Sequence, residues 1–472
     1  MGTLHGLISK AVDITDNSKE VKPGSIFFAI RGTRFDGHTF IGEVLKKNPL
    51  AVVVEKDFNP TGLKISIPLF KVENTRKAFA EACRLFFGKP DERLKIIGVT
   101  GTNGKTSTTY IAAQLLKSAG LPAGIIGTVE YRFESNIYGK GQTTPHPKVW
   151  FKTLARMTED GAKAVAAEIS SHALEQFRVW GTRFEGIIFT NLTQDHLDYH
   201  GDIESYFKAK RRLFTDYFYR KGVVNGDDPF GKRLKEELNL PSFGSLEGNE
   251  YRVKDIHLFP EGSSFVLETK REKVKVETPL VGEFQVFNLA GALVLMNELG
   301  FSLKKLAEAA KELKPIPGRF EVVIKKPFTV VVDYAHTPDA LEKLLKSVRK
   351  LSGGRVITVF GAGGNRDRSK RPKMGAVAER HSDIVILTSD NPRFEDPGAI
   401  IEEIRKGMKE FCEIYVEPDR RSAIELALKK IAREGDTVVI AGKGHEDYQE
   451  IKGRRIHFND REEILKVFND IE

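Results

Sequence analysis

Residues 98–108 read Gly-Val-Thr-Gly-Thr-Asn-Gly-Lys-Thr-Ser-Thr, directly after the apolar run Leu94-Lys95-Ile96-Ile97 and before a helix-like segment at 108–119. Strand, glycine turn and helix are the setting in which a polyphosphate is held. The glycines let backbone N–H groups face the phosphates, the helix N-terminus adds its positive dipole, and Lys105 supplies a cation. Thr106 offers a hydroxyl to Mg2+. The candidate nucleotide contacts here are Gly101, Thr102, Asn103, Gly104, Lys105, Thr106 and Ser107. The loop is shorter than the pattern GxxxxGK[ST], because Val99 stands where its first glycine would fall. It points to ATP or GTP and leaves the reaction open.

Two later apolar runs end in groups suited to a metal. Residues 164–172, Ala-Val-Ala-Ala-Glu-Ile-Ser-Ser-His, close on Glu168. In open α/β sheets ligands bind beyond the carboxyl ends of the strands, which places Glu168 to hold Mg2+ beside the phosphates. The same carboxylate would also suit a helix cap or a surface position. Residues 189–201, Phe-Thr-Asn-Leu-Thr-Gln-Asp-His-Leu-Asp-Tyr-His-Gly, bring His196 and His200 together with Asp195 and Asp198. Such a cluster is costly to bury without a ligand and points to a metal site.

The last third of the chain repeats the design four times. Residues 332–338 end a strand in Asp333, Tyr334 and His336. Residues 361–372 form a glycine loop crowded with cations, Arg371 among them, which suits phosphates or carboxylates. Ser389-Asp390-Asn391-Pro392-Arg393 and Ala441-Gly442-Lys443-Gly444-His445-Glu446 each follow an apolar run. Four polar strand ends in one region read as a binding site rather than as unrelated turns.

The elements that must position these residues divide the chain into roughly three domains, on a prior of ~150 residues each. Residues 1–90 read as a small α/β unit, with strand-like runs at 25–30 and 50–54 and a helix at 75–87; Gly88-Lys89-Pro90 is a linker. Residues 91–314 read as the phosphate-loop domain, with strands at 162–167, 186–190 and 222–224. The breaker-rich stretch Lys314-Pro315-Ile316-Pro317-Gly318 is a hinge into a third domain, 315–472. There strands at 328–332, 355–360, 383–387 and 437–440 alternate with helices at 339–351, 399–411 and 421–432, which implies a largely parallel sheet.

Composition narrows the function classes. Of 472 residues, 40% are hydrophobic and 29% charged, which suits a soluble protein with several cores. No apolar run approaches the ~18 residues of a membrane span. The start, Met1-Gly2-Thr3-Leu4-His5-Gly6, lacks a signal-peptide layout, so no membrane partner and a cytoplasmic location are expected. Cys83 and Cys412 stand far apart and form no metal motif, in keeping with a reducing compartment. The net charge of +9 would suit nucleic acid or anionic substrates, but it is spread through mixed runs such as Lys304-Lys305 and 346–350, which read as a solvated face.

Taken together, the motifs resemble the Mur ligase superfamily of ATP-dependent amide-forming ligases, over residues 17–461. GTNGKT marks the superfamily. TTPHP at 143–147, EISSHAL at 168–174, DHLDYHG, DYAHTP, GAGGNRDRSKRP, DNPR and AGKGHED are similar to its diaminopimelate-adding members. The resemblance implies an α/β chain of three domains, with a central P-loop ATPase-like parallel or mixed sheet and a Rossmann-like C-terminal domain. It implies that residues 1–90 bind the UDP of a sugar nucleotide; Asn17-Ser18-Lys19 stands where the family has Asp-Ser-Arg, so Ser18 alone carries over. Thr143, Thr144, Ser170, Ser171 and Arg178 match the UDP-muramoyl dipeptide site. Glu168 and His196 match Mg2+ ligands, and Lys210 matches a lysine that is carbamylated to become an oxygen ligand. By sequence alone Lys210 would be a solvated helix lysine. Asn288 matches an adenine contact, with Gln285 departing from the commoner Asn, and Arg319, Asp333, Tyr334 and His336 match ATP contacts. Arg371, Asp390, Asn391, Arg393, Gly442 and Glu446 match the pocket for the incoming amino acid.

The expected reaction joins meso-2,6-diaminopimelate to UDP-N-acetylmuramoyl-L-Ala-D-Glu through an acyl phosphate, in a monomer that uses ATP and Mg2+. Lys105, His196 and Lys210 are its expected catalytic residues. Closure about 315–318 would position the substrates and exclude water. The rivals are a lysine-adding or folylpolyglutamate-forming relative, opposed by DNPR and by the first domain, and a nucleic-acid-binding P-loop protein, opposed by the lack of a basic–aromatic stripe.

Overall fold

A computed structural model describes residues 3–32, 35–409 and 411–470. Met1 and Gly2, part of the stretch read for a signal peptide, lie outside the described residues. The chain forms two compact units: Met1–Thr100 with Ala112–Ile188 and Lys208–Gly222, and Gly101–Ile111 with Phe189–Phe207 and Val223–Glu472.

The first unit holds a parallel sheet of four strands, in the order Asp13–Thr15, Ser25–Phe28, Ala51–Glu55 and Leu69–Val72. Ser25–Phe28 is buried throughout, as is Ala51–Glu55 up to Val54; unbroken apolar runs of this kind belong to parallel strands covered on both faces. The helix Thr75–Phe86 starts at Asn74, whose side chain accepts from the Lys77 N–H at 3.0 Å. A larger sheet runs Phe184–Phe189, Lys95–Thr100, Ala164–Glu168, Ala123–Ile126, Tyr131–Phe133 and Asn136–Gly139. Lys95–Thr100, Ala164–Glu168 and Ala123–Ile126 are parallel, and the last two strands turn back antiparallel. Register sets Glu168 beside Val99 at the carboxyl edge.

In the second unit Val224 and Asn225 pair in parallel with Ser242–Gly244, which pairs in parallel with Tyr251–Phe259. Tyr251–Phe259, Gly262–Glu268 and Lys273–Thr278 then form an antiparallel meander that the sequence reading did not anticipate. Its signal is present: Lys273–Thr278 alternates exposed and buried, the period of a sheet with one wet face. The buried helix Glu283–Glu298 packs on it.

The rest of this unit is a six-stranded sheet in the order Glu321–Ile324, Thr329–Asp333, Thr437–Ala441, Val356–Phe360, Ile384–Leu387 and Glu413–Val416. Only the first pairing is antiparallel. Alternate residues feed two cores. Val331, Val439, Phe360 and Leu387 face the helices Pro338–Leu351, Lys370–His381 and Pro397–Arg405. Val330, Val438, Ile357 and Ile386 face Arg420–Glu425 and Asp460–Asn469. Helices on both faces of a mostly parallel sheet make a doubly wound layer. Register aligns Asp333 with Ala441, Ala441 with Phe360, and Phe360 with Leu387. The four polar strand ends therefore share one edge.

Helix boundaries differ from the expectation in places, and the helix expected at 108–119 begins earlier, as Lys105–Ser118. The helix expected at 399–411 is Pro397–Arg405, started by the Asp396 side chain accepting from the Ala399 N–H at 2.9 Å. That expected at 421–432 is α-helical over Arg420–Glu425 and widens into a π turn over Leu426–Ile431. No described helix is long and apolar enough to cross a membrane.

Candidate active site

The phosphate loop in the second unit is held open by its neighbours. Asn191 accepts from the Thr102 N–H through its carbonyl at 2.8 Å, and from the Asn103 N–H through its side chain at 2.9 Å. The Thr190 hydroxyl donates to the Asn103 carbonyl at 2.6 Å, and Thr102 Oγ1 accepts from the Thr193 N–H at 3.0 Å. Gly104 has φ +83° and a Cβ there would lie 2.3 Å from Asn288 Oδ1, so both backbone and space require glycine. Lys105 Nζ donates to the carbonyls of Gly101 at 2.9 Å and Thr102 at 2.7 Å. Asn103 also donates to Asp339 Oδ2 at 2.8 Å, a carboxylate at the start of Pro338–Leu351. Thr106 and Ser107, on the helix Lys105–Ser118, are buried.

Beside the loop lies a cavity of about 620 Å³. Asn103, Gly104, Ser107 and Asn288 line it together with Phe243, Phe284, Phe287, Arg319, Asp333, Tyr334 and His336. Amide donors and acceptors beside flat aromatic rings suit a nucleobase, and a phosphate loop suits its polyphosphate. Arg319 donates to the Thr106 hydroxyl at 3.0 Å and stacks over the Tyr334 ring at 4.4 Å. Asp333 accepts from the Phe320 and Ala335 N–H groups, both at 2.7 Å, and fixes the turn that carries Tyr334 and His336. Burial pushes the Asp333 carboxyl up against the pull of Arg319. Asn288 donates to Gln285 Oε1 at 3.1 Å, so Gln285 orients that amide.

Asp195 is a residue the sequence reading noted in a cluster but did not assign. Burial pushes its carboxyl up, but His196, His336, Lys370 and Lys105 outweigh that and hold it down at about 2. His196 Nε2 lies 3.4 Å from it, and the His196 backbone is left-handed at φ +54°. His336 is pushed down to about 4 by burial and then Lys370, and Tyr334 O fixes its Nδ1 at 2.8 Å. A neutral imidazole and a permanent carboxylate thus sit among two lysines.

At the other strand ends, Asn391 donates to Glu446 Oε2 at 2.8 Å and accepts from the Glu450 N–H at 2.9 Å. Asp390 and Gly442 face each other, since a Cβ on Gly442 would lie 2.9 Å from Asp390 Oδ2. Arg393 donates to the Gly364 carbonyl at 2.7 Å, with Nε 3.6 Å from Glu450 Oε2. Arg371 lies on the helix Lys370–His381 rather than in the glycine loop, and is fully buried. It donates to Glu395 at 2.8 and 3.0 Å, to Glu403 at 2.8 Å and to the Gly363 carbonyl at 3.1 Å. Its guanidinium is therefore engaged with two carboxylates beneath the loop.

In the first unit, Glu168 is buried and accepts from Thr128 through N at 2.8 Å and Oγ1 at 3.1 Å. Gly127 makes room for it, since a Cβ there would lie 2.3 Å from Glu168 Oε1. Thr143 Oγ1 is 3.0 Å from Thr128 Oγ1. Thr144 donates to the Glu168 carbonyl at 2.7 Å and accepts from the Ser170 N–H at 3.0 Å. Ser170 caps the turn that carries the buried Ser171, and Arg178 donates to the Thr144 carbonyl at 2.8 Å. One hydrogen-bonded network, running through Thr128, thus joins Thr143, Thr144, Glu168, Ser170 and Arg178. Ser18 stands apart from that network, its carbonyl accepting from Lys47 at 2.7 Å; Asn17 is tied to Glu20 at 3.1 Å. Two ion pairs tie that end to the helix Pro147–Glu159: His146 with Asp16 and Lys148 with Asp13, both at 2.9 Å. Lys210 lies on Ile203–Thr215 and is 1% exposed, the opposite of a solvated helix lysine.

Three family models match the chain: the Mur ligase family catalytic domain over residues 13–87, the Mur ligase middle domain over 99–296, and the Mur ligase glutamate ligase domain over 318–444. A UDP-N-acetylmuramoyl-L-alanyl-D-glutamate–2,6-diaminopimelate ligase of Aquifex aeolicus (strain VF5) is 48% identical over 461 residues, covering 98% of this chain and 94% of its own. One of Geobacillus thermodenitrificans (strain NG80-2) is 43% identical, covering 94% and 92%. A solved structure of a ligase of the same name superposes with a TM-score of 0.70 at 34% identity, covering 98% and 95%.

Proposed function

The chain belongs to the Mur ligase family, and on that premise we propose that it is an ATP-dependent amide ligase of peptidoglycan synthesis. It joins meso-2,6-diaminopimelate to the D-glutamate carboxylate of UDP-N-acetylmuramoyl-L-Ala-D-Glu and releases ADP and phosphate. The observation that carries this reading is one compact unit in which a phosphate loop and four polar strand ends stand with a cavity of about 620 Å³. Relatives named for this reaction, similar over almost the whole chain, support it.

The carboxylate attacks the γ-phosphate of ATP. Lys105, the loop N–H groups and Arg319 stabilise charge on the transferring phosphoryl group. Asn288 reads the base, while Asp333 holds Tyr334 and His336 against the nucleotide. The acyl phosphate is then attacked by the amine, and the tetrahedral intermediate collapses to the amide. Asp390, Asn391, Gly442 and Glu446 hold the amino acid and Arg393 its distal carboxylate, with Arg371 supporting the glycine loop from below. Ser18, Thr143, Thr144, Ser170, Ser171 and Arg178 hold the sugar-nucleotide dipeptide. Residues 1–90, 91–314 and 315–472 are the proposed UDP-sugar, ATP and amino-acid domains of a cytoplasmic monomer that binds no nucleic acid.

The donors fit Mg2+, which takes one or two carboxylates plus substrate phosphates rather than a dense protein cage. Glu168 is a buried carboxylate with its orientation fixed by Thr128, and Thr106 offers a hydroxyl. No group of three or more His, Cys, Asp and Glu suited to a metal occurs among the described residues. The proposed ligands are Thr106, Glu168, His196 and a carbamylated Lys210. Lys210 as an ammonium donates only hydrogen bonds, and the carbamate supplies the oxygen a hard cation needs. When bound, Mg2+ neutralises phosphate charge.

The test is phosphate release with the UDP-muramoyl dipeptide and ATP in the presence of meso-diaminopimelate, L-lysine or no amino acid. Release that depends on meso-diaminopimelate is expected. Absence of amino-acid-dependent release would overturn the proposal.

A further inference from the structure

Behind the strand ends lies an ammonium that the proposed reaction does not use. Lys443 is fully buried, in the turn after Thr437–Ala441. Its Nζ donates to Tyr448 O at 2.6 Å, Glu446 Oε2 at 3.1 Å and Asn391 Oδ1 at 3.4 Å. Those three acceptors match the three hydrogens of an ammonium group. They come from three segments: the loop after Ile384–Leu387, the turn of Lys443 itself, and the strand Tyr448–Ile451.

The contacts interlock. Asn391 Oδ1 faces two donors, Lys443 Nζ and the Glu450 N–H, so its Nδ2 must point the other way, to Glu446 Oε2 at 2.8 Å. Glu446 Oε2 is thereby engaged by both Lys443 and Asn391. Its Oε1 has a long contact of 3.5 Å with the Tyr334 hydroxyl. That oxygen is left to receive a substrate's ammonium group.

We propose that Lys443 is a positioning residue for the incoming amino acid, setting the orientation of Asn391 and the charge of Glu446. The proposal rests on the amino-acid pocket of the proposed function and adds to it the group that arms the pocket. Glu446 faces Asp390, Lys443 and Arg420, and the phenols of Tyr334 and Tyr448. Burial and then Asp390 push its carboxyl up, and Lys443 pulls it down. Without Lys443 the carboxyl holds its proton at higher pH and presents a neutral acid to a cation.

The experiment compares Lys443→Met and Lys443→Arg with the wild type in steady-state assays across pH. It uses whichever of meso-diaminopimelate and L-lysine the wild type turns over. The wild-type rates judge the proposed substrate, and the ratios of variant to wild type judge Lys443. For Lys443→Met, KM for the amino acid rises at least about tenfold while KM for ATP and for the sugar nucleotide stays within about twofold. The acid limb of kcat/KM for the amino acid moves up by about one pH unit. Lys443→Arg keeps the charge but not the three-hydrogen fit, so KM rises while the acid limb stays near that of the wild type. It also carries the KM test if Lys443→Met fails to fold. An amino-acid KM within about twofold of the wild type in the folded variants, or an unmoved acid limb in folded Lys443→Met, would overturn the proposal.

Discussion

The phosphate end and the amino-acid end of the second unit solve the same problem, holding an anionic or zwitterionic group, in opposite ways. The phosphate end is made of backbone. Gly101 to Ser107 are consecutive, and the groups that shape the loop are mainly N–H donors, carbonyls and short hydroxyls, with the Asn191 amide and the Lys105 ammonium beside them. The amino-acid end is made of side chains gathered from distant segments and tied together by buried cations. Lys443 joins Asn391 to Glu446, Arg371 joins Glu395 to Glu403, and Arg420 joins Asp460 to the Ser389 and Ala441 carbonyls. A backbone cradle is fixed once the local fold forms, whereas a side-chain pocket needs charges beneath it to stay in place. The first is suited to a substrate part shared by many enzymes, and the second to the part that distinguishes them.

The comparison breaks most sharply at Lys105. Lys105→Ala leaves the backbone cradle and removes the charge, so ligation falls at least about a hundredfold in a folded protein. Near-normal turnover would show that the loop does not carry the phosphoryl step. Next is Lys210→Ala, expected to be inactive and partly rescued by acetate or formate, since a small carboxylate can stand in for the carbamate. An active Lys210→Ala together with an unmodified lysine by mass would remove the carbamate.

At the amino-acid end the expected loss is one of stability. Arg420 and Asp460 are buried side by side, with two contacts of 2.8 Å. Arg420→Met strands a buried carboxylate and costs about 3–5 kcal/mol, read as a lower urea midpoint. An unchanged midpoint would mean that the strand ends need no buried cation. The smallest effect is at His445, which burial and then Arg319 push down to about 3. Because its folded pKa lies below the unfolded value, its contribution is whole above pH ~6.5 and falls as pH falls below that. His445→Phe, which keeps a ring beside Tyr334, reduces the acid loss of stability between pH 7 and pH 5 by about 1–2 kcal/mol. Parallel curves for the two proteins would contradict this.

The same contrast explains what the sequence disclosed. The phosphate loop was legible because its residues are consecutive and its strand–turn–helix setting is local. The four polar strand ends were legible as a group because each follows an apolar run, and parallel register brings them to one edge. What stayed hidden depends on packing. Lys443 stood in a recognised motif, but its partner Asn391 lies in another, and nothing local shows that the two meet. Lys210 reads as a surface lysine and is buried. Arg371 reads as part of a loop and is the first turn of a helix clamped by Glu395 and Glu403. The antiparallel meander at 251–278 is not signalled by a continuous apolar run, because its outer strands Tyr251–Phe259 and Lys273–Thr278 alternate.

The most direct test is the selectivity ratio, kcat/KM with meso-diaminopimelate over kcat/KM with L-lysine, measured in the wild type and in Arg393→Ala. The distal carboxylate forms a charge-assisted pair with Arg393, whereas lysine brings a second ammonium against the guanidinium and no carboxylate to meet it. Losing one partner of such a pair costs about 2–5 kcal/mol, so the wild type should prefer meso-diaminopimelate by tens- to thousands-fold. Arg393→Ala should bring the ratio close to one while leaving KM for ATP unchanged. Equal rates with the two amino acids in the wild type, or an unaltered preference in Arg393→Ala, would contradict the division of labour between the two ends.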